Sequence, residues 1–481
     1  MIKNHIQSVL TGELGFTPTR SQVTLIKKLA GFISSPEENE IFIIKGFAGT
    51  GKTSMLAVVV RALLKCRIRS VLLAPTGRAA KVLSGYTAHP AFTIHKKIYR
   101  QKSQADGLGK FVLDRNLHKN TYFIVDEASM ISNQAGEIPS FGTGRLLDDL
   151  VEYVYSGENC RLLLVGDTAQ LPPVGLELSP ALEVEELKKY GFGTGETCLT
   201  EVARQSEKSG ILINASALRK RIEEKTGMEG FFPIRLKGYN DIERISGEFL
   251  AGKISECYDR YGIFETIVVT RSNKRANLYN KGIRNTILFR EDEISRGDLL
   301  MVVKNNYFWM AENEEMDFIA NGDIAKIETI YGVEEIYGFR FADVRLAFID
   351  YQDVEFDCKI MLDTIGLESA SLPTGESKKL YHAVSLDYPE VKNKRELWTK
   401  IRDNPWFNAL QVKFAYAVTC HKAQGGQWKA VFIDPGYVTE ERINKEYLRW
   451  MYTAFTRPTV KLYLINFNSR FFEEENPGAP V

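Results

Sequence analysis

Eight residues near the start of the chain, GFAGTGKT over 46–53, carry its densest chemical signal. They fit the pattern G-x-x-x-x-G-K-[ST], in which glycines let backbone N–H groups turn inward around an anion. Gly46, Ala48, Gly49, Thr50 and Gly51 would line that cradle. Lys52 adds a cation for the β- and γ-phosphates of ATP, and the Thr53 hydroxyl can ligate Mg²⁺. The apolar run IFIIK at 41–45 and the apolar stretch after the loop supply the strand and helix that this mechanism needs. Chance is the competing explanation, and the context argues against it.

Hydrolysis needs carboxylates beside such a loop, and YFIVDE at 122–127 supplies two at the end of another apolar run. Asp126 would hold Mg²⁺ through water, and Glu127 would orient and deprotonate the attacking water. Seen alone, an acidic pair at a strand end is more often a solvated turn. Beside a phosphate loop it reads as catalytic.

These residues need a sheet to position them. Apolar runs recur at 70–74 (SVLLA) and 161–165 (RLLLV), spaced for crossover helices, so 1–190 is expected to form an α/β domain with a mostly parallel sheet. Further runs at 266–270, 414–419, 430–433 and 461–465 predict a second α/β domain in two parts, 191–296 and 409–481. Between them, 297–408 turns to period-two alternation broken by Asn321-Gly322, which argues for a small inserted antiparallel β-barrel. The polar, turn-rich stretch at about 99–120 fits a β-hairpin projecting from the first domain.

Bulk properties bound the function without naming it. A chain of 481 residues exceeds one ordinary core. A net charge of +1 gives no global argument for nucleic-acid binding, so any such surface must be a local groove of Lys and Arg. The six cysteines are scattered without metal spacing, which suits reduced thiols in the cytoplasm. No window resembles a membrane span or a leader with a basic start.

An ordered set of motifs along nearly the whole chain resembles superfamily 1 DNA helicases, in the branch containing RecD and the phage Dda helicase. FTPTRSQ at 16–22 is similar to the adenine-reading motif, with Gln22 on the base edge. APTGRAA at 74–80 and TIH at 93–95 resemble segments that touch the DNA backbone, here through Thr76, Thr93 and His95. GDTAQLPPVG at 166–175 looks like the third motif, with Gln170 sensing the γ-phosphate, although it could be only a rigid loop. LTEVARQ at 199–205 and MYTAFTR at 451–457 match the fourth and sixth motifs, whose arginines are Arg204 and Arg457. In AVTCHKAQGG at 417–426 the resemblance sends Thr419, His421 and Lys422 towards DNA, and Gln424 and Gly425 towards the nucleotide. Gln427 departs from the pattern, since relatives commonly carry glutamate there.

The resemblance implies two RecA-like P-loop domains, an SH3-like barrel and a strand-separating hairpin. It implies an ATP- and Mg²⁺-dependent motor, moving 5′ to 3′ on single-stranded DNA and acting at duplex junctions. It also implies a monomer, with replication, repair or recombination proteins as possible company. The residues themselves leave open an RNA helicase or translocase, a nonmotor nucleotide switch, and the motor subunit of a RecBCD-like nuclease complex.

Overall fold

A strand buried on both faces must be apolar throughout, whereas an edge strand need not be, and this contrast runs through the molecule. The computed structural model describes residues 1–101, 111–135, 141–202, 208–224, 230–306, 308–309, 319–351 and 354–472. Its first domain contains β1 (Glu40–Gly46), β2 (Arg69–Ala74) and β3 (Ala91–Thr93), then β4 (Tyr99–Gln101) and β5 (Phe111–Leu113), then β6 (Thr121–Val125), β7 (Arg161–Gly166) and β8 (Gly193–Leu199). Six of these form a sheet in the order β3-β2-β6-β7-β1-β8, all parallel. Phe42 and Ile44 of β1 enter one core with the helix Lys52–Lys65, while Ile41 and Ile43 enter the other, as the period of two demands.

β4 and β5 pair antiparallel, Tyr99 opposite Leu113 and Gln101 opposite Phe111, and form the base of the expected hairpin. Its continuation over 102–110 lies outside the described residues. The Tyr99 hydroxyl anchors this base by donating to Asp149 Oδ2 at 2.6 Å.

The second domain contains β9 (Ile242–Ile245) and β10 (Thr266–Thr270), and the barrel contains β11 (Leu299–Val302), β12 (Ile324–Ile336), β13 (Phe339–Phe348), β14 (Val354–Met361) and β15 (Leu410–Phe414). The chain then returns to the second domain with β16 (Ala417–Thr419), β17 (Trp428–Asp434) and β18 (Pro458–Ile465), giving a parallel sheet in the order β16-β10-β17-β18-β9. The barrel is closed, and only its β14–β15 ladder is parallel. Two helices, Thr374–Ser385 and Lys394–Arg402, sit between β14 and β15 and share a satellite core with Phe339, Phe341 and Met361.

Two expected boundaries move. The strand β8 pairs along its length with β1, so the first domain continues past 190. Its sequence, GTGETCL, shows no apolar run because much of this edge strand meets solvent. The run at 414–419, expected as one strand, is two. Phe414 faces Leu300 in the barrel, so the barrel extends beyond 408, and Ala417 faces Val268 in the second sheet.

Tyr416 sits at that bend. Its hydroxyl donates to Asp298 Oδ1 at 2.9 Å and accepts from Leu299 N–H at 3.1 Å. Arg284 and Arg290 neutralise the buried Asp298, at 3.0 and 2.7 Å, and this network ties the barrel to its host domain. No helix among the described residues is long and apolar enough to cross a membrane.

Candidate active site

Parallel strands deliver their C-terminal ends to one edge, where α/β folds gather ligands. Here β1 runs into the loop 46–53, its neighbour β7 is followed at once by Asp167, and β6 by Asp126 and Glu127. Gly51 has φ +82°, and a Cβ there would lie 2.8 Å from Gln22 Nε2, so only glycine lets the loop close beneath that side chain. Lys52 starts the following helix, and its Nζ donates to Gly46 O at 2.8 Å and to Asp167 Oδ2 at 3.3 Å. Thr53 follows on the same helix, and the Thr50 hydroxyl closes the turn on Phe47 O at 2.7 Å.

Glu127 adopts φ +52°, a left-handed conformation that costs a non-glycine residue about 1–3 kcal/mol and clusters at functional sites. Its N–H donates to Asp126 Oδ1 at 2.9 Å. Burial and the neighbouring Glu127 push the Asp126 carboxyl up to about 7, against the pull of that amide and of Lys52. A divalent cation beside Asp126 and the Thr53 hydroxyl would relieve this penalty, and hard oxygens suit Mg²⁺. Gln170 is buried, with an Oε1 that lacks a hydrogen-bond partner among the described residues, an acceptor that a ligand hydroxyl or a water would satisfy.

Gln22 lies in the first turn of the helix Arg20–Ser34. It is buried, its Oε1 accepts Thr19 N–H at 3.0 Å, and its Nε2 donates to Thr50 O at 3.1 Å. One lone pair and one N–H remain for a base edge.

The second domain roofs this edge with the helix Lys445–Phe455 and the segment 419–428. Leu171 N–H donates to Thr453 Oγ1 at 2.8 Å, and Leu171 O accepts from Gln424 Nε2 at 2.7 Å. Gly425 presses on the first domain, where a Cβ would lie 2.9 Å from that of Ala79 and 3.2 Å from Thr76 Oγ1. Arg457 is buried and held within its own domain by Thr453 O, Gly426 O and Thr456 Oγ1 at 3.0, 3.2 and 2.9 Å. Arg204 lies outside the described residues. Gln427 joins the domains, its carbonyl accepting from Arg78, whose guanidinium stacks 4.2 Å from the Trp428 ring.

Of the residues expected to meet a nucleic-acid backbone, Thr76 lies at the cleft, against Gly425 of the second domain. Thr76 and Thr93 cap helices, accepting from Ala79 N–H at 3.2 Å and Lys96 N–H at 3.1 Å. A capping hydroxyl still has its own hydrogen to donate, although Thr93 is buried. His95 packs edge-on against Phe141 at 4.7 Å, and burial pushes its pKa down to about 4 despite Asp149, so it is neutral at physiological pH. Thr419 ends β16, His421 is exposed, and the Lys422 ammonium donates to Asn321 Oδ1 in the barrel's turn. Burial holds Lys422 down at about 8.

Sequence reasoning assigned no role to Asp167, Tyr452 or Thr453. Asp167 follows a strand just as Asp126 does, and that parallel was the available signal. For the other two, only packing reveals the contact.

Residues 19–226 match the AAA domain family, and residues 414–465 match the UvrD-like helicase C-terminal domain. The chain is 23% identical over 419 residues to the ATP-dependent DNA helicase dda of Enterobacteria phage T4, covering 82% of this chain and 88% of that one. It is 30% identical over 206 residues to the ATP-dependent RecD2 DNA helicase of Deinococcus radiodurans, covering 42% of this chain but only 25% of that relative. Among solved structures, the Pif1 helicase from Candida albicans aligns at 14% identity and a TM-score of 0.46, covering 96% of this chain and 97% of that one.

Proposed function

We propose that this chain, which belongs to superfamily 1 of the helicases by its AAA domain and UvrD-like helicase C-terminal domain, is an ATP-driven motor that moves 5′ to 3′ on single-stranded DNA and unwinds duplex. The observation that carries this reading is the roofing of a phosphate loop by a second domain, with Gln424 and Tyr452 bonding across the cleft. Such a cleft can open and close with the state of one nucleotide.

In the proposed cycle, Lys52 and the loop amides hold the β- and γ-phosphates while Glu127 takes the proton of the attacking water. Mg²⁺, held beside Thr53 and Asp126, would neutralise charge on the phosphates. Arg457, and Arg204 from outside the described residues, would stabilise the transferring phosphoryl group, a role worth about 10³ to 10⁵ in rate. Thr76, Thr419, His421 and Lys422 would grip the backbone without reading bases. The chain would work as a monomer in the cytoplasm.

Tailed duplexes test the reading. With ATP and Mg²⁺, a duplex bearing a 5′ single-stranded tail is expected to be unwound and one bearing only a 3′ tail is not. Preference for the 3′ tail overturns the polarity, and stimulation by RNA but not DNA of equal length overturns the substrate.

The grip should also depend on pH. Lys422, at about 8, loses its charge as pH rises through that value, well below the ordinary lysine range. Affinity for labelled oligo-dT is therefore expected to fall roughly threefold to tenfold more between pH 7 and 9 in the wild type than in Lys422→Arg. Identical slopes by fluorescence anisotropy would remove Lys422 from the grip.

A further inference from the structure

A buried phenol from the second domain is bonded directly to the phosphate loop. Tyr452, 1% exposed on the helix Lys445–Phe455, accepts the Ala48 N–H at 2.7 Å and donates its own hydrogen to Asp167 Oδ2 at 2.7 Å. Asp167, also 1% exposed, accepts Ala169 N–H at 2.9 Å on its other oxygen and the Lys52 ammonium at 3.3 Å. A ring of contacts results: Lys52 to Asp167, Asp167 to Tyr452, Tyr452 to Ala48, and Ala48 through the loop back to Lys52. Burial and Asp167 hold the phenol far above its ordinary pKa, so it stays a neutral donor and acceptor.

Each member has a reason to respond to phosphate. Ala48 N–H belongs to the set of loop amides that cradle an anion, and here its acceptor comes from the other domain. Lys52 is the cation for the β- and γ-phosphates, and any phosphate that draws it away leaves Asp167 buried with only Ala169 N–H and the phenol. A charge-assisted hydrogen bond then has to carry more of that charge, so it shortens and strengthens. The phenol sits on the helix that ends beside Arg457, so its position and that of the arginine move together.

Resting on the ATPase reading above, we propose that Tyr452 is a positioning residue for phosphoryl transfer: its hydroxyl fastens the Lys445–Phe455 helix to the phosphate loop through Ala48 and Asp167, and so reports the engagement of Lys52 to the second domain. It touches no reacting atom. Its effect is on the placement of the loop amide, Asp167 and Arg457.

Tyr452→Phe removes the hydroxyl and keeps the packed ring, so the fold should hold. Thr453→Val is the matched control, since it removes the neighbouring cleft-spanning bond to Leu171 N–H without touching the loop. Steady-state ATP hydrolysis with saturating oligo-dT is measured for the wild type and both variants, together with binding of a fluorescent ATP analogue and thermal melting. Tyr452→Phe is expected to lower kcat about tenfold or more, with KM and analogue affinity within about threefold, while Thr453→Val lowers kcat by less than about threefold. An unchanged kcat in Tyr452→Phe overturns the proposal. So do equal losses in the two variants, which would mean general docking of the domains, and a change in KM alone, which would mean ground-state binding. Absence of DNA-stimulated hydrolysis in the wild type would instead overturn the functional reading on which the assignment rests.

Discussion

Lys52→Ala is expected to lower ATP turnover by about 10³-fold. The ammonium donates to Gly46 O at 2.8 Å and to Asp167 at 3.3 Å, so it is already aimed into the loop it would share with phosphate. Preorganisation of this kind spares the transition state the cost of reorienting water, which is why a single fixed charge matters so much. The fold should survive. Asp167 loses its ion pair with Lys52 but keeps two hydrogen-bond donors, Ala169 N–H and the Tyr452 hydroxyl, which limit the cost of leaving its charge buried. A colorimetric phosphate assay with oligo-dT, run beside a melting curve, separates the outcomes. Retention of more than half the stimulated rate would remove the loop from the mechanism, whereas a melting temperature collapsed by tens of degrees would show that Lys52 is chiefly structural.

The second large effect belongs to Glu127→Gln, which should leave nucleotide binding near wild type and reduce hydrolysis by about 10² or more. Glutamine keeps the shape and the hydrogen-bonding reach and removes only the base. Main-chain geometry should be preserved, because the left-handed turn at φ +52° is held by the Glu127 N–H to Asp126 Oδ1 bond, which the substitution does not touch. Single-turnover hydrolysis paired with equilibrium binding of a labelled nucleotide reads the two quantities apart. Parallel loss of both would mark Glu127 as a structural residue of the turn.

These two residues were legible in the sequence for a physical reason. The phosphate loop and the acidic pair are local patterns: a few consecutive residues whose backbone and side chains must act together, each attached to an apolar run long enough to be a buried strand. Gly46 after IFIIK and Asp126 after YFIV could be placed at strand ends without knowing which strands are neighbours. The α/β class and the inserted barrel came from the same kind of local periodicity.

Tertiary structure decided whatever depended on distant partners. The strand β8 is polar and partly wet, and it counts as part of the first sheet only because β1 offers it a ladder. Whether 414–419 is one strand or two is invisible in a uniformly apolar stretch, since barrel and sheet both want apolar residues. The bend at Tyr416 exists because Asp298 and Leu299 N–H are there to meet its hydroxyl. Thr93 is buried and His95 packs against Tyr99 of the hairpin base and against Phe141, placements that no local pattern announces. Tyr452 is the extreme case. Its partner Ala48 is 404 positions away, and a tyrosine on an amphipathic helix carries no mark that its hydroxyl, rather than its ring, is the part that matters. Local chemistry is written in spacing, but a hydrogen bond between domains comes into being only when two cores have folded and docked, and no window of sequence contains both of its ends.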